Sequence, residues 1–462
     1  MTLTDDDMSD APACVPSGPG PRRRPITDVK AWLDDLDIDV APTLRALGEL
    51  LLGVSQRERA ETDAQFTART LEVGDFGQLV AEERPLNPVS RLTAGLALAE
   101  WINEHAARCE IGPGEHTQPP KWTQTLIGAD TYRHPLCVRV FFPANTLLSD
   151  TGCVVAIEAR QDIMRVAEVS AYVTPAQQTQ ARVVLDRLVE RANALNPYRG
   201  HAVRAVDSQG LSLSIIDLPA TATRRTIIAP QKVWAEVDLG LTAVRDHHAL
   251  LNAHGLGARR GILLCGPPGT GKSAICAVLA NEVVGEFTVI YVEAQAGARL
   301  LTAVVEEAQR IGGPVLLVLE DVDLWISDRR TGGGGLSELL QAMDIRPDAR
   351  ILTVASTNDA TTLDKAAIRT GRFDSVIEVG YPTRSDAARI LTALTDGIPG
   401  ADTVDAAAVA TALPEHTSGS DIREIVRRAV LAADHAHLTT AALLTEIGAG
   451  RYRAQPPAGQ YL

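Results

Sequence analysis

The stretch Gly266, Pro267, Pro268, Gly269, Thr270, Gly271, Lys272 and Ser273 constrains this chain more than any other. It follows the apolar run ILLC at Ile262 and precedes SAICAVLANEVV, whose apolar positions recur at helical spacing. A buried strand must therefore enter a tight turn and leave it as a helix. The pattern GxxxxGK[ST] suits a loop whose backbone N–H groups point at phosphates. Lys272 would set a cation against β- and γ-phosphates, and the Ser273 hydroxyl would ligate Mg²⁺. The phosphates would meet a helix N-terminus, where unpaired N–H groups and the helix dipole both favour anions.

A second element supports the first. PVLLVLEDVDL, from Pro314 to Leu324, is an apolar run ending in carboxylates, some forty to fifty residues after the loop. Acids at the end of a buried strand serve a phosphate-bound metal and an attacking water. By position Glu320 would serve the metal and Asp321 would polarise the water.

The texture of the chain changes near Arg225. After it, the short apolar runs at Ile262, Phe287, Val315, Ile351 and Val376 alternate with helical segments. Such runs with helices between them read as a parallel sheet buried on both faces. Beyond Arg384 no strand-like run remains, and Ile422, Ile425, Val426, Ala429, Val430 and Ala433 form an apolar helical stripe.

Before Arg225 the organisation differs. Residues 1–28 are acidic and rich in Pro and Gly, and read as a disordered tail without the apolar core of a secretory signal. Residues 29–110 read as mainly helical, on the spacing of Leu44, Leu47, Leu51 and Val54 and again of Leu92, Leu96, Ala99 and Ile102. Residues 111–225 read as an α+β module, with strand-like runs from Cys137, Cys153 and Val166, a helix from Pro175, and two short strands near Val203 and from Leu211 to Ile216. The expected domains are completed by an α/β nucleotide domain at 226–383, a helical lid at 384–450 and a tail at 451–462.

The region from about Ile227 to Arg428 resembles an AAA ATPase module, on the motifs GPPGTGKS, LEDVD, VASTN and AAIRTGRFD. The resemblance implies a P-loop NTPase sheet with a C-terminal helical lid, binding and hydrolysing ATP with Mg²⁺. It places the sensor asparagine that holds the lytic water at Asn358. It makes Arg369 and Arg372 fingers into a neighbouring subunit, and implies a homo-oligomer, a hexamer by family habit. HTSGSDIREI is similar to the SGADL segment of the lid, which would set Gly419 and Ser420 near adenine and ribose, with Ser420 or Asp421 capping the helix. An arginine of the kind other clades place there, called sensor 2, is read as absent.

Two departures bear on what such a module would do. The acids come in the order Glu320, Asp321, where the family usually has Asp then Glu. The segment after Tyr291 also lacks the aromatic with which polypeptide-threading members grip their substrate, and SDRRTGGGG offers Arg329 and Arg330 in a glycine tract instead. The first expectation is a ring that remodels a protein partner held by the N-terminal region. The alternative is a slow ATP-dependent regulatory switch or scaffold, and a DNA-associated ATPase comes third. With 58 acidic against 44 basic residues the net charge is −14, which argues against a nucleic-acid partner. No apolar run approaches the ~20 residues that cross a bilayer. Six scattered cysteines, without CxxC pairs or zinc spacing, fit reduced thiols in a cytoplasmic protein.

Overall fold

The computed structural model describes residues 60–158, 167–208, 210–292, 297–323, 348–359, 372–432 and 437–453, with positions 44, 47 and 48. The chain divides into two units, Met1–Ala60 and Glu61–Leu462. The second unit carries everything below. The expected N-terminal tail, most of the Leu44–Val54 stripe, Arg329, Arg330 and Arg369 lie outside the described residues.

The second unit opens with helix α1 (Asp63–Thr70), strand β1 (Val80–Leu86), helix α2 (Pro88–Glu104) and strands β2 (Glu110–Gly112), β3 (Lys121–Ile127), β4 (Asp130–Phe142), β5 (Cys153–Glu158) and β6 (Ala167–Val173). The strands form one antiparallel sheet in the order β1-β6-β5-β4-β2, with β3 also pairing β4. Helix α3 (Gln178–Ala194) and α2 cover its apolar face, with Leu98, Trp101, Val140, Ile157, Val184 and Leu188 in the shared core. β1 corrects the reading of residues 29–110 as helical. It pairs with β6 from Val80↔Val173 to Leu86↔Ala167. Its sequence VAEERPL has neither helical nor apolar periodicity, because it is an edge strand, where charges and a proline are tolerated.

All five apolar runs after Arg225 are parallel strands: β9 (Arg260–Cys265), β10 (Thr288–Val292), β11 (Val315–Leu319), β12 (Ile351–Thr357) and β13 (Ser375–Glu378). Their order is β13-β9-β12-β11-β10. Helices α4 (Gln231–Arg245), α5 (His248–Ala253), α6 (Lys272–Val283) and α7 (Gly297–Ile311) belong to this layer. Val237, Leu241, Ile275 and Leu279 pack on one face of the sheet, and Leu301, Val304 and Ala308 of α7 on the other. The α/β class is as expected. Strands β7 (Ala202–Asp207) and β8 (Leu211–Ile215) are a second correction. Instead of completing the α+β module, they extend the nucleotide sheet. β7 runs parallel to β10, Val289↔Ala202 to Val292↔Ala205, and β8 closes the edge antiparallel to β7.

This placement ties the two sheets together. Val89 and Leu92 of α2, Ile127 of β3 and Tyr198 share a core with Leu263, Ile290, Leu301 and Val304. Arg199 donates to the Ile311 carbonyl at the end of α7 (3.0 Å from Nε) and to the Asn193 carbonyl at the end of α3 (3.0 Å). A guanidinium thus satisfies orphan carbonyls of two helix C-termini at once. The chain closes with the lid helices α8 (Arg384–Thr395), α9 (Ala406–Ala412), α10 (Gly419–Ala432) and α11 (Thr440–Ala449), whose core includes Leu391, Val409, Ile422, Ile425 and Leu443.

Candidate nucleotide site

The loop Gly266–Ser273 leaves the C-terminal end of β9 and enters α6 at Lys272. All three of its glycines are required by geometry, Gly266 because a β-carbon there would lie 2.1 Å from the Val379 carbonyl oxygen. Gly271 caps α6 at φ 101°, and Gly269 sits at φ 78° where a β-carbon would lie 2.1 Å from Ser420 Oγ. Lys272 is buried, and its Nζ donates to the carbonyls of Gly266 (2.7 Å) and Pro267 (2.9 Å). Burial lowers its pKa, and the charges of Asp321 and Asp323 push it partly back. A desolvated cation whose hydrogen bonds among the described residues go to carbonyl groups is suited to an anionic ligand.

A cavity of about 380 Å³ opens over the loop. Pro268, Gly269, Thr270, Gly271, Lys272 and Ser273 line it from below, Asp321 and Asn358 from the strand ends, Gly419, Ser420 and Arg423 from the lid, and Thr226, Ile227, Ile228, Ile390 and Leu394 from the side. It joins a polar end to an apolar wall, as a site for a base with a phosphate chain requires. Of the expected residues, Gly266 and Pro267 shape the loop without lining the cavity.

The two acids part at the end of β11. Asp321 is in the left-handed region at φ 50°, and its N–H donates to Ser356 Oγ (3.2 Å). Among non-glycine residues Asp is one of those that adopt this conformation most readily, more so than Glu. That preference gives a backbone reason for the order Glu320, Asp321. The turn directs Asp321 to the cavity, where Asn358 Nδ2 donates to its Oδ1 (3.4 Å). Glu320 is not a lining residue. Its charge instead contributes to raising the thiol of buried Cys276, one turn into α6, whose pKa burial pushes up to about 12. The Glu320 charge thus reaches Cys276 of α6, the helix whose first turn carries Ser273, and Tyr291 of β10. A third acid went unread in the sequence: Asp323 Oδ1 accepts from the Asn358 N–H (3.2 Å).

Arg372 lies away from this cavity. Its carbonyl packs against Gly261, at the opposite end of β9 from the loop. Gly266 lies five residue steps beyond Gly261, roughly 16 Å at the usual strand rise.

At the lid, Ser420 N–H donates to the Gly269 carbonyl (3.1 Å), so α10 begins against the loop. The cap is made by Ser418 with Asp421, one of the two residues expected, and not by Ser420. Ser418 Oγ accepts from Asp421 N–H (3.1 Å), and Asp421 Oδ2 accepts from Ser418 N–H (2.9 Å). The expectation of a lid without an arginine at the site is corrected by Arg423, which lines the cavity one turn after Ser420. The spacing Gly419, Ser420, Arg423 on one helix face was the available signal.

A strand, phosphate loop and helix, with acids at the end of a neighbouring parallel strand, define a P-loop nucleotide-binding domain. Residues 262–381 match the family described as ATPase family associated with various cellular activities, AAA. The chain is similar to the ATP-dependent zinc metalloprotease FtsH 4 of Sphaerobacter thermophilus, 36% identical over 199 residues, 39% of this chain and 30% of the relative. It is similar to FtsH 1 of Conexibacter woesei at 31% over 236 residues, 46% of this chain and 36% of the relative. The ATPase family gene 2 protein homolog B of Mus musculus is 31% identical over 198 residues, 40% of this chain and 26% of the relative. The chain thus spans about a quarter to a third of the length of these relatives. It carries a P-loop ATPase domain of the AAA family.

Proposed function

We propose that this chain binds ATP in the cavity over Gly266–Ser273 and hydrolyses it to ADP and phosphate. The observation that carries the reading is the convergence of Lys272, Ser273, Asp321 and Asn358 on one cavity lined by a glycine-shaped loop. Lys272 holds the β- and γ-phosphates, and Asp321 accepts a proton from the attacking water, which Asn358 helps to orient. Ser273 and Glu320 hold Mg²⁺, which supplies charge neutralisation at the phosphates. Arg369 and Arg372 serve the site of a neighbouring copy in a ring, and Gly419 and Ser420 close the lid over the nucleoside. In this reading the assembly remodels a protein partner carried by the region before Arg225, in the cytoplasm.

A second reading, a slow switch that signals its nucleotide state, is favoured by the shared core through which α2, β3 and α7 pack together. Phosphate release from Mg²⁺–ATP, measured on the whole chain with Lys272→Ala as control, tests the proposal. Hydrolysis lost with Lys272→Ala is expected, and a chain that binds no ATP would overturn both readings. Slow basal turnover unchanged by protein partners would favour the switch.

A further inference from the structure

Asp321 stands in a conformation that its own side chain does not secure. At φ 50° its β-carbon crowds the following carbonyl oxygen, a strain that Asp tolerates better than most residues but does not escape. Such a turn persists only where its surroundings hold it. One residue of the neighbouring strand holds it from both sides. Ser356 Oγ accepts from the Asp321 N–H (3.2 Å), and the Ser356 carbonyl accepts from the Val322 N–H (2.9 Å). The peptide units before and after the Asp321 Cα are thus both fastened to Ser356. The regular ladder does not supply the first of these bonds, because the β11–β12 register ends at Leu319↔Ala355. Beyond it a side-chain oxygen stands in for a strand carbonyl.

We propose that Ser356 is a positioning residue for hydrolysis, whose hydroxyl keeps the Asp321 backbone in its left-handed turn and so aims the carboxylate at the attacking water. This rests on the reading of Asp321 as the base. Ser356 is itself well anchored, being fully buried and paired with Leu264 of β9 on the other side of its strand. The same strand end also fastens the phosphate loop, since the Gly266 N–H donates to the Thr357 carbonyl (3.3 Å). Ser356 therefore sets Asp321 in register with the loop that holds the phosphates. A carboxylate on one methylene points largely where its Cα–Cβ bond points, and that bond swings when φ leaves the left-handed region. Asn358 restrains the carboxylate itself (3.4 Å), and Ser356 restrains the backbone behind it. Ser356 does not line the cavity, so its hydroxyl acts on the rate through Asp321 and not on the nucleotide.

The test is single-turnover hydrolysis of Mg²⁺–ATP by the whole chain, with ADP affinity from titration calorimetry, for wild type, Ser356→Ala, Asp321→Asn and the double variant. Ser356→Ala leaves a buried N–H without its acceptor, and should slow hydrolysis about tenfold or more while ADP affinity stays unchanged. In the Asp321→Asn background there is no base left to aim. The same alanine should then cost no further rate, the non-additivity expected of residues that act as a unit. An unchanged rate in Ser356→Ala would overturn the proposal, as would an equal loss in both backgrounds. Lost ADP binding in Ser356→Ala would also overturn it, by making Ser356 a residue of the fold alone. If Asp321→Asn is slow and Ser356→Ala is not, the role of Ser356 falls and the base stands. If Asp321→Asn hydrolyses like wild type, or wild type hydrolyses no ATP, the underlying reading falls first.

Discussion

Asn358 holds Asp321 through its side chain and Asp323 through its backbone, Nδ2 to Oδ1 at 3.4 Å and N–H to Oδ1 at 3.2 Å. The residue read as orienting the lytic water thus also fixes the carboxylate read as its base. Asp321→Asn keeps the size of the side chain and its turn, but removes the basic oxygen. It should leave ATP binding intact and slow hydrolysis by about 10²–10⁴-fold, in single-turnover assays at saturating nucleotide. Asn358→Ala should also slow the chemical step. Loss of ATP binding in either variant would mean that these residues build the pocket rather than the reaction.

Asp321 lines the cavity, and Glu320 does not; its charge reaches Cys276 of α6, whose first turn carries Ser273. Glu320→Gln is therefore expected to raise the Mg²⁺ concentration needed for half-maximal turnover, with nucleotide binding retained. A Mg²⁺ titration of activity reads this directly. Should Glu320→Gln instead trap ATP with its metal requirement unchanged, the two acids have the opposite roles.

Arg372 is roughly a full strand length from the loop of its own chain, beyond the reach of an arginine side chain. On the proposed reading, its part in hydrolysis would be played on another copy. Arg372→Ala should bind ATP normally and lose turnover, by as much as ~10³–10⁵ for a finger that meets transition-state charge. Mixing it with Lys272→Ala should restore some activity, because certain interfaces then pair an intact loop with an intact finger. No recovery in the mixture, with turnover independent of protein concentration, would assign Arg372 to stability alone.

Glu307 on α7 is buried against Asn196, whose Nδ2 donates to its Oε1 at 3.2 Å. Burial raises its pKa, and the opposing pull of Arg310 and Asn196 does not reverse this. The folded protein therefore holds this proton more tightly than the unfolded chain. The contribution is most favourable below the unfolded value near about 4.3. It is lost as pH rises through the higher folded value. Glu307→Gln keeps an acceptor for Asn196 and removes the charge. Its melting temperature relative to wild type should rise with pH between 4.5 and 8, which thermal unfolding across that range measures. An advantage that is flat with pH would show that Glu307 is not the titrating group.

The nucleotide sheet was legible because parallel strands covered on both faces must be apolar throughout, as ILLC, VLLVL and ILTVA are. The loop was legible because few residues other than glycine fit φ values such as those of Gly269 and Gly271. β1 was illegible for the opposite reason. An edge strand with Glu82, Glu83, Arg84 and Pro85 carries no periodic signal, and its identity comes from pairing with β6 some ninety residues later. The destination of β7 was hidden in the same way, since its partner β10 is selected by tertiary packing. Arg423 was missed because a lone arginine on a lid helix is commonplace until it is seen to line the cavity.

The seam between the two sheets has a practical consequence for anyone dissecting the chain. A fragment trimmed to begin at residue 226, where the apolar alternation starts, would lose β7 and β8 and leave the outer edge of β10, Val289 to Val292, without its partners. It would also strip Val89, Leu92, Ile127 and Tyr198 from against Ile290 and Val304. An open, apolar edge strand recruits other chains, so such a fragment is expected to precipitate. A piece that keeps the sheet edge covered has to begin upstream of α2.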